Sequence, residues 1–225
     1  MGDIVKLEDG TEVEYHCLNS WVARWAAKSI LAGETYPAFS ELDDVSVILD
    51  IGANCGAASV FFARTYPHAT IHAFEPAQEP FGFLERNADN HPGIRPVNIG
   101  LLDKDDSVPL FHGKASPGAS SIHQTEFTTD EHEMIVLKAA DRWLRDHDVD
   151  RIDVVKIDTE GCEVPILQDL RDRLPDIGVV YLEFHSEDDR RTIDELLAPT
   201  HELRSVRQAQ TWTGELGFVN RSVLA

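Results

Sequence analysis

A short apolar run beginning at Val45 ends in Asp50 and breaks into a glycine-bearing turn, Gly52-Ala53-Asn54-Cys55-Gly56, followed by a helical stretch from Ala57 to Thr65. No other segment restricts the fold as strongly. Glycine lets the backbone turn sharply, and the first N–H groups of the next helix have no intrahelical partner. A strand, turn and helix start of this kind offers bare donors and a positive helix end to a ligand. A second apolar run, Thr70 to Phe74, ends in Glu75. An acidic side chain at the tip of the second parallel strand can accept from both hydroxyls of a ribose. Together the two runs predict a nucleoside site at the carboxyl edge of a doubly wound sheet.

The remaining pattern supplies that sheet. Alternating residues around Asp9-Gly10 predict a hairpin over residues 3–16. A helix from Trp21 to Leu31 follows, capped by Asn19-Ser20 and stopped by Gly33, with Trp21 and Trp25 on one face. Phe81 to Asn90 reads as a helix. Ile94 to Leu102 reads as the third strand, with Val108 to Phe111 returning beside it as a small inserted hairpin. Lys114 to Gln124 reads as a polar loop, Met134 to Leu137 as a short strand and Ala139 to His147 as a helix. The fourth strand, Ile152 to Ile157, closes in Asp158-Thr159-Glu160-Gly161, and a helix over Val164 to Leu174 carries Pro165 in its first turn. A fifth strand, Ile177 to Phe184, ends at His185. A helix over Asp189 to Leu197 and two strands near Glu202–Arg207 and Glu215–Val223 finish the chain. Strands alternating with helices imply an α/β fold, doubly wound and mostly parallel, with helices on both faces.

Charge and cysteine usage narrow the partners. Forty acidic against twenty basic residues give a formal net charge of −20, a field that repels nucleic acid and anionic membranes. A small neutral or cationic substrate is expected, with no nucleic acid and no membrane partner. Cys17, Cys55 and Cys162 are odd in number and have no CxxC spacing, which argues for a reducing compartment. The acidic, polar N-terminus does not resemble a signal peptide, so a cytoplasmic location is expected.

The turn also selects among nucleosides. A dinucleotide site needs G-x-G-x-x-G, whereas the register from Gly52 places Asn54 where the middle glycine would admit a pyrophosphate. Asp50, facing a ligand at the strand tip, suits an amino group better than a diphosphate. A ligand with a ribose and a zwitterionic part but no phosphates is expected, and S-adenosylmethionine meets that description.

Four stretches, Asp50-Ile51-Gly52-Ala53-Asn54-Cys55-Gly56, Phe74-Glu75-Pro76, Lys156-Ile157-Asp158-Thr159-Glu160-Gly161-Cys162-Glu163 and Leu182-Glu183-Phe184-His185, resemble the FkbM-type class I S-adenosylmethionine-dependent methyltransferases over about residues 35–190. The resemblance implies a seven-stranded Rossmann-like methyltransferase sheet over 41–225, preceded by a short hairpin-helix extension over 1–40 that acts as lid or docking element. Members known in the family mostly methylate hydroxyl groups of natural products or sugars, so O-methylation of a small molecule is expected. The alternatives are N-methylation of an amine or carbamoyl group, a nicotinamide-dependent oxidoreductase and a cofactor-binding module without catalysis.

Candidate residues follow. Gly52 and Gly56 admit the amino-acid end of the cofactor, and the resemblance sets Asp50 and Asn54 near its methionine part. Glu75 holds the ribose, Pro76 shapes that turn, and Asn98 on the third strand lies toward the adenine. Asp158 falls near the transferable methyl, and His185, with an unperturbed pKa near neutrality, is the first candidate for general base; Asp158 is the second, only if burial raises its pKa. Glu160 and Glu163 are candidate caps for the following helix. Lys156 is expected to pair with Glu183, which shares its face. A divalent ion such as magnesium, held by Asp158, Glu183 and His185, is the unfavoured alternative, since nothing in the spacing forces it. Trp21, Trp25 and the serine-rich loop Ser116–Ser121 are candidates for the acceptor pocket. The resemblance also makes a homodimer the assembly to test.

Overall fold

The computed structural model describes residues 3–114, 120–210 and 212–224. Two four-residue strands, β1 (Asp3–Lys6) and β2 (Glu12–Tyr15), pair antiparallel across the Asp9-Gly10 turn. Gly10 takes φ 85°, as that turn requires. Helix α1 (Trp21–Leu31) starts at Ser20, whose hydroxyl accepts from the N–H of Ala23.

The main sheet holds seven strands in the order β11-β12-β10-β9-β3-β4-β5. These are β3 (Val47–Ile51), β4 (Thr70–Phe74), β5 (Ile94–Val97), β9 (Val154–Ile157), β10 (Val179–Phe184), β11 (His201–Gln210) and β12 (Thr213–Asn220). All neighbouring pairs from β10 to β5 are parallel, and β12 runs antiparallel to both β10 and β11. The order reverses at β3, where a doubly wound sheet opens a crevice for ligands.

Period-two alternation along the strands builds two cores. Leu49, Ile51, Val155, Ile157 and Leu182 face α4 (Ala140–Asp146), α5 (Glu163–Asp169) and α6 (Glu187–Leu197). Ile48, Ile71, Val154 and Tyr181 face α1, α2 (Ala57–Thr65) and α3 (Gln78–Ala88), and Leu7, Val13 and Tyr15 of the hairpin join that second core. The N-terminal segment is thus packed into the apolar layer behind α2.

The stretch after β4 departs from the sequence reading. Ile94 to Leu102 is not one strand. After Val97 the chain leaves the main sheet, and β6 (Gly100–Leu102) joins a separate three-stranded sheet with β7 (Asp106–Gly113) and β8 (Thr128–Ala139) in the order β6-β8-β7. The expected hairpin between the third strand and its return is absent among the described residues, because both β6 and β7 pair with β8, one parallel and one antiparallel. β8 is twelve residues long, not four. The α5 helix ends at Asp169, and a short 3-10 turn at Leu174–Asp176 completes the expected helical stretch.

Candidate active site

β3, β4, β9 and β10 all end at one edge, and their tips surround a cavity of about 400 Å³. Gly52 and Asn54 form its floor at the turn after β3, Glu75 and Pro76 lie at the tip of β4, and Asp158 and Glu183 stand at the tips of β9 and β10. A Cβ at Gly52 would collide with the carbonyl oxygen of Asp158, and its φ is 75°. Only glycine permits the two strand ends to approach this closely. Asn54 takes φ 51°, the left-handed conformation that asparagine tolerates, and its Oδ1 accepts from the N–H of Cys55 at 2.8 Å.

Glu75 is buried, yet lines the cavity. Its Oε2 accepts from Asn54 N and its Oε1 from Ala77 N, both at 2.8 Å. Burial pushes its pKa up to about 7 against the lowering effect of those two bonds. A carboxylate offers about four lone-pair positions, so each oxygen keeps one for a further donor. A cis-diol of a ribose supplies two such donors. The tight glycine turn, the pinned carboxylate and the cavity between them therefore fit the nucleoside end of S-adenosylmethionine.

Four of the residues expected to bind the cofactor or act in catalysis lie outside the cavity wall. Asp50 is wholly buried beneath the turn. Its Oδ2 accepts from Ser59 Oγ at 2.6 Å, and its Oδ1 lies 3.2 Å from Lys156 Nζ. Gly56 starts α2 with φ 88° and packs so closely on Leu84 that a Cβ would overlap it. Asn98 braces the strand tip, its Nδ2 donating to the carbonyls of Glu75 and Pro76 at 2.9 and 3.2 Å. His185 stands behind Glu183.

Lys156 does not pair with Glu183 as alternation suggested. It is the register partner of Asp50 across β9 and β3, and its other ion-pair partner is Asp158, 3.7 Å away. Its ammonium also donates to the carbonyl of Gly52 at 2.6 Å. Burial works to lower the Lys156 pKa, but Asp50 and Asp158 outweigh it and hold the side chain charged. An interior ammonium matched by two carboxylates and backbone oxygens is the arrangement a buried charge requires.

Asp158 has a second partner that no motif announces. The fully buried Tyr36 donates from its hydroxyl to Asp158 Oδ2 at 2.8 Å. Burial opposes the Asp158 charge, but Lys156, a hydrogen bond with Glu183 and the Tyr36 hydroxyl hold its carboxyl below the usual range, not above it as expected of a basic Asp158. Glu183 goes the other way. Burial and the neighbouring Asp158 charge raise it to about 9.

His185 stands beside two carboxylates. Burial works to lower its pKa, but Glu163 and Glu183 outweigh that and push it up to about 11. Its Nε2 lies 3.4 Å from Glu183 Oε2 and 3.6 Å from Glu163 Oε1. That shift disfavours the form with a free lone pair, and His185 does not line the cavity, both of which speak against the general-base role expected of it. The expected metal set is corrected as well. Glu183 and His185 do come together, but with Glu160 in place of Asp158, their ligand atoms all within 4.8 Å of one another.

The turn after β9 is built around Glu163. Its carboxylate accepts from Thr159 N at 2.7 Å and from Gly161 N at 3.1 Å, so it ties the loop ahead of α5. Glu160 takes the left-handed φ of 56° and faces the cavity, and its carbonyl accepts from Ser121 Oγ at 2.8 Å. Burial and the Asp158 charge push the Glu160 pKa up to about 7. Of the acceptor candidates, Trp25 and Ser120 line the cavity while Trp21 does not. Residues 116–119 of the serine-rich loop lie outside the described residues. Arg207 and Glu215, which carried no sequence signal, complete the rim beside Trp25. The Cys55 and Cys162 thiols are pushed up to about 12 by burial, which leaves both protonated and unreactive. Among the described residues, no helix is long and apolar enough to cross a membrane.

Comparison with known proteins agrees with this arrangement. Residues 50–210 match the Methyltransferase FkbM domain. The chain is 29% identical over 165 residues to Methyltransferase 1 of Beauveria bassiana (strain ARSEF 2860), a match spanning 64% of this chain and 66% of that protein. It is 35% identical over 95 residues to the 31-O-demethyl-FK506 methyltransferase FkbM of Streptomyces tacrolimicus, covering 40% of this chain and 36% of the relative. The chain thus spans two thirds or less of the length of these relatives. Its fold is similar to the crystal structure of methyltransferase FkbM from Methylobacillus flagellatus KT, with a TM-score of 0.52 and 16% identity, over 80% of this chain and 44% of that one. With 50–210 spanning most of the sequence and the site built on its strand tips, the chain belongs to the FkbM methyltransferase family.

Proposed function

We propose that the protein transfers the methyl group of S-adenosylmethionine to a hydroxyl of a small molecule, a natural product or a sugar. The observation that carries this reading is the Asp158 carboxyl group on the cavity wall, set against the Gly52 turn and hydrogen-bonded by Tyr36 at 2.8 Å. The printed name of the Streptomyces relative, which marks an oxygen position, supports it.

The cofactor supplies an activated methyl on a sulfonium. The chain supplies position and charge. Glu75 accepts from the ribose hydroxyls, and the Gly52-to-Gly56 turn lets the amino-acid end lie against backbone. Asp158 accepts the hydrogen bond of the acceptor hydroxyl and directs an oxygen lone pair at the methyl. As the carbon–oxygen bond forms and the carbon–sulfur bond breaks, the oxygen gains positive charge and its proton becomes acidic enough to pass to Asp158, weak base though that carboxylate is. Lys156 and Tyr36 hold that carboxylate in place before and after.

The test is transfer of labelled methyl from S-adenosylmethionine to a panel of hydroxylated and amine-bearing small molecules. Expected is labelling of a hydroxyl compound, reduced by about 10²–10⁴ in Asp158→Asn with S-adenosylhomocysteine binding retained. Labelling confined to amines, or an Asp158→Asn variant as active as the parent, overturns the reading.

A further inference from the structure

Three buried side-chain polar atoms lack a hydrogen-bond partner among the described residues, namely Asp50 Oδ1, His185 Nε2 and Glu215 Oε2. Asp50 and Glu215 have cationic neighbours in Lys156 and Arg207. His185 Nε2 has carboxylates only. An orphaned buried nitrogen calls for an explanation, and an ion is one of the few available.

We infer that Glu160, Glu183 and His185 form a binding site for one divalent cation beside the cavity. Their donor atoms, two carboxylate oxygens and an imidazole nitrogen, all lie within 4.8 Å of one another. They come from two neighbouring strand tips, Glu160 after β9 and Glu183 with His185 at the end of β10. The separation of His185 Nε2 from Glu183 Oε2, 3.4 Å, is long for a charge-assisted hydrogen bond. It matches two adjacent ligands of one ion, since bonds of about 2.1 Å at angles near 90–110° set ligand atoms roughly 3.0–3.4 Å apart. The ion takes the place of the imidazole proton and supplies the positive charge that Glu160, Glu163 and Glu183 require. Two oxygens and one nitrogen suit manganese better than calcium or magnesium, which favour all-oxygen shells.

The local construction holds the donors in place. Glu163 ties down the backbone on both sides of Glu160, and Ser121 fixes the Glu160 carbonyl. Glu160 and Glu183 both line the cavity, so the ion keeps coordination positions open toward it. Under the methyl-transfer reading, on which this role alone rests, those positions bind the acceptor hydroxyl and lower its pKa.

The experiment is a titration of the EDTA-treated protein with manganese chloride at 0.15 M salt, followed by the electron paramagnetic resonance signal of free Mn²⁺. Expected is one bound ion per chain, weakened about tenfold or more in His185→Gln and Glu183→Gln, in line with what lost metal contacts cost. Glu160→Gln, in a turn outside the sheet, is the second variant and is expected to weaken binding similarly. No stoichiometric binding, or binding equally strong in all three variants, overturns the site. Binding of S-adenosylhomocysteine to the same samples reports on the methyltransferase reading separately. Cofactor binding without manganese sinks only the metal site, and manganese binding without cofactor binding sinks only the methyl-transfer reading.

Discussion

Strand β10 carries a buried polar cluster at each end, and the two are built on different rules. At its amino end, Asn220 donates from Nδ2 to the carbonyls of Pro175 and Ile177 at 2.9 Å and accepts from Ser222 N and Oγ. His201 bridges Thr200 Oγ1 and the Ile177 carbonyl at 2.8 and 3.0 Å. Neither residue carries an orphaned atom. At its carboxyl end, Asp158, Glu160, Glu163 and Glu183 crowd around His185 and Lys156, and the orphaned His185 Nε2 lies there. The first cluster satisfies itself and fastens the C-terminal strand. The second is complete only when a ligand, a proton or an ion joins it. Burial alone does not separate them, since both are largely shielded from water. The separating property is whether the donors and acceptors balance.

The largest expected effect tests the charged end. Lys156→Ala leaves Asp50 buried without its cation and is expected to lower the unfolding free energy by about 3–5 kcal/mol, read by urea denaturation. The pair Asp50→Asn with Lys156→Met is expected to recover most of that loss. If Lys156→Ala unfolds like the parent, the interior ion pair contributes nothing to stability.

Next comes the satisfied end. Asn220→Ala strands the carbonyls of Pro175 and Ile177 and is expected to cost about 2–4 kcal/mol, with cofactor affinity unchanged in the folded fraction. A loss of cofactor affinity there would erase the distinction between the two ends.

The two edges of the sheet, with His201 on one and Glu75 at the β4 tip on the other, also titrate in opposite senses. Burial lowers His201 to about 4, so its neutral form is favoured on folding. That contribution is complete above about pH 6.5, the unfolded value, and is lost as pH falls toward 4. Burial raises Glu75 to about 7, so its contribution is complete below the unfolded value of about 4.3 and is lost as pH rises through 7. His201→Gln is expected to flatten the acid limb of stability against pH, and Glu75→Gln the neutral limb, each by an amount on the order of 2 kcal/mol. Ionised Glu75 is also the better ribose acceptor, so S-adenosylhomocysteine affinity is expected to rise between pH 6 and 8 in the parent and not in Glu75→Gln. The smallest effect belongs to Asn98→Ala, which removes a brace from the β4 tip and is expected to weaken cofactor binding about threefold or less, within the value of a typical hydrogen bond.

Much of this was legible in the chain because local rules and tertiary rules agree there. Thr70–Phe74 is a strand in sequence and structure alike, and Gly52 is demanded by a close backbone approach that turn glycines signal. The reading failed where partners arrive from far away. Ile94 to Leu102 is continuously strand-like, yet β6 is drawn off by β8, more than thirty residues on. Alternation placed Lys156 and Glu183 on one face correctly, but the β9–β3 register, not the face, chose Asp50 as its partner. The ordinary pKa of His185 suggests a base, but Glu163, reaching in from the start of α5 to 3.6 Å, raises that pKa. Tyr36 meets Asp158 across 122 positions, a pairing that no pattern in one sequence announces.

The central claim is that the carboxyl edge is built for S-adenosylmethionine, with Glu75 on its ribose. The most direct measurement is calorimetric titration of the protein and of Glu75→Ala with S-adenosylhomocysteine, using NAD as control ligand. The account predicts one site per chain in the parent, weakened about 100-fold in Glu75→Ala by loss of two charged hydrogen bonds, and no NAD binding. Equal affinity in parent and variant, or binding of NAD in place of S-adenosylhomocysteine, would contradict it.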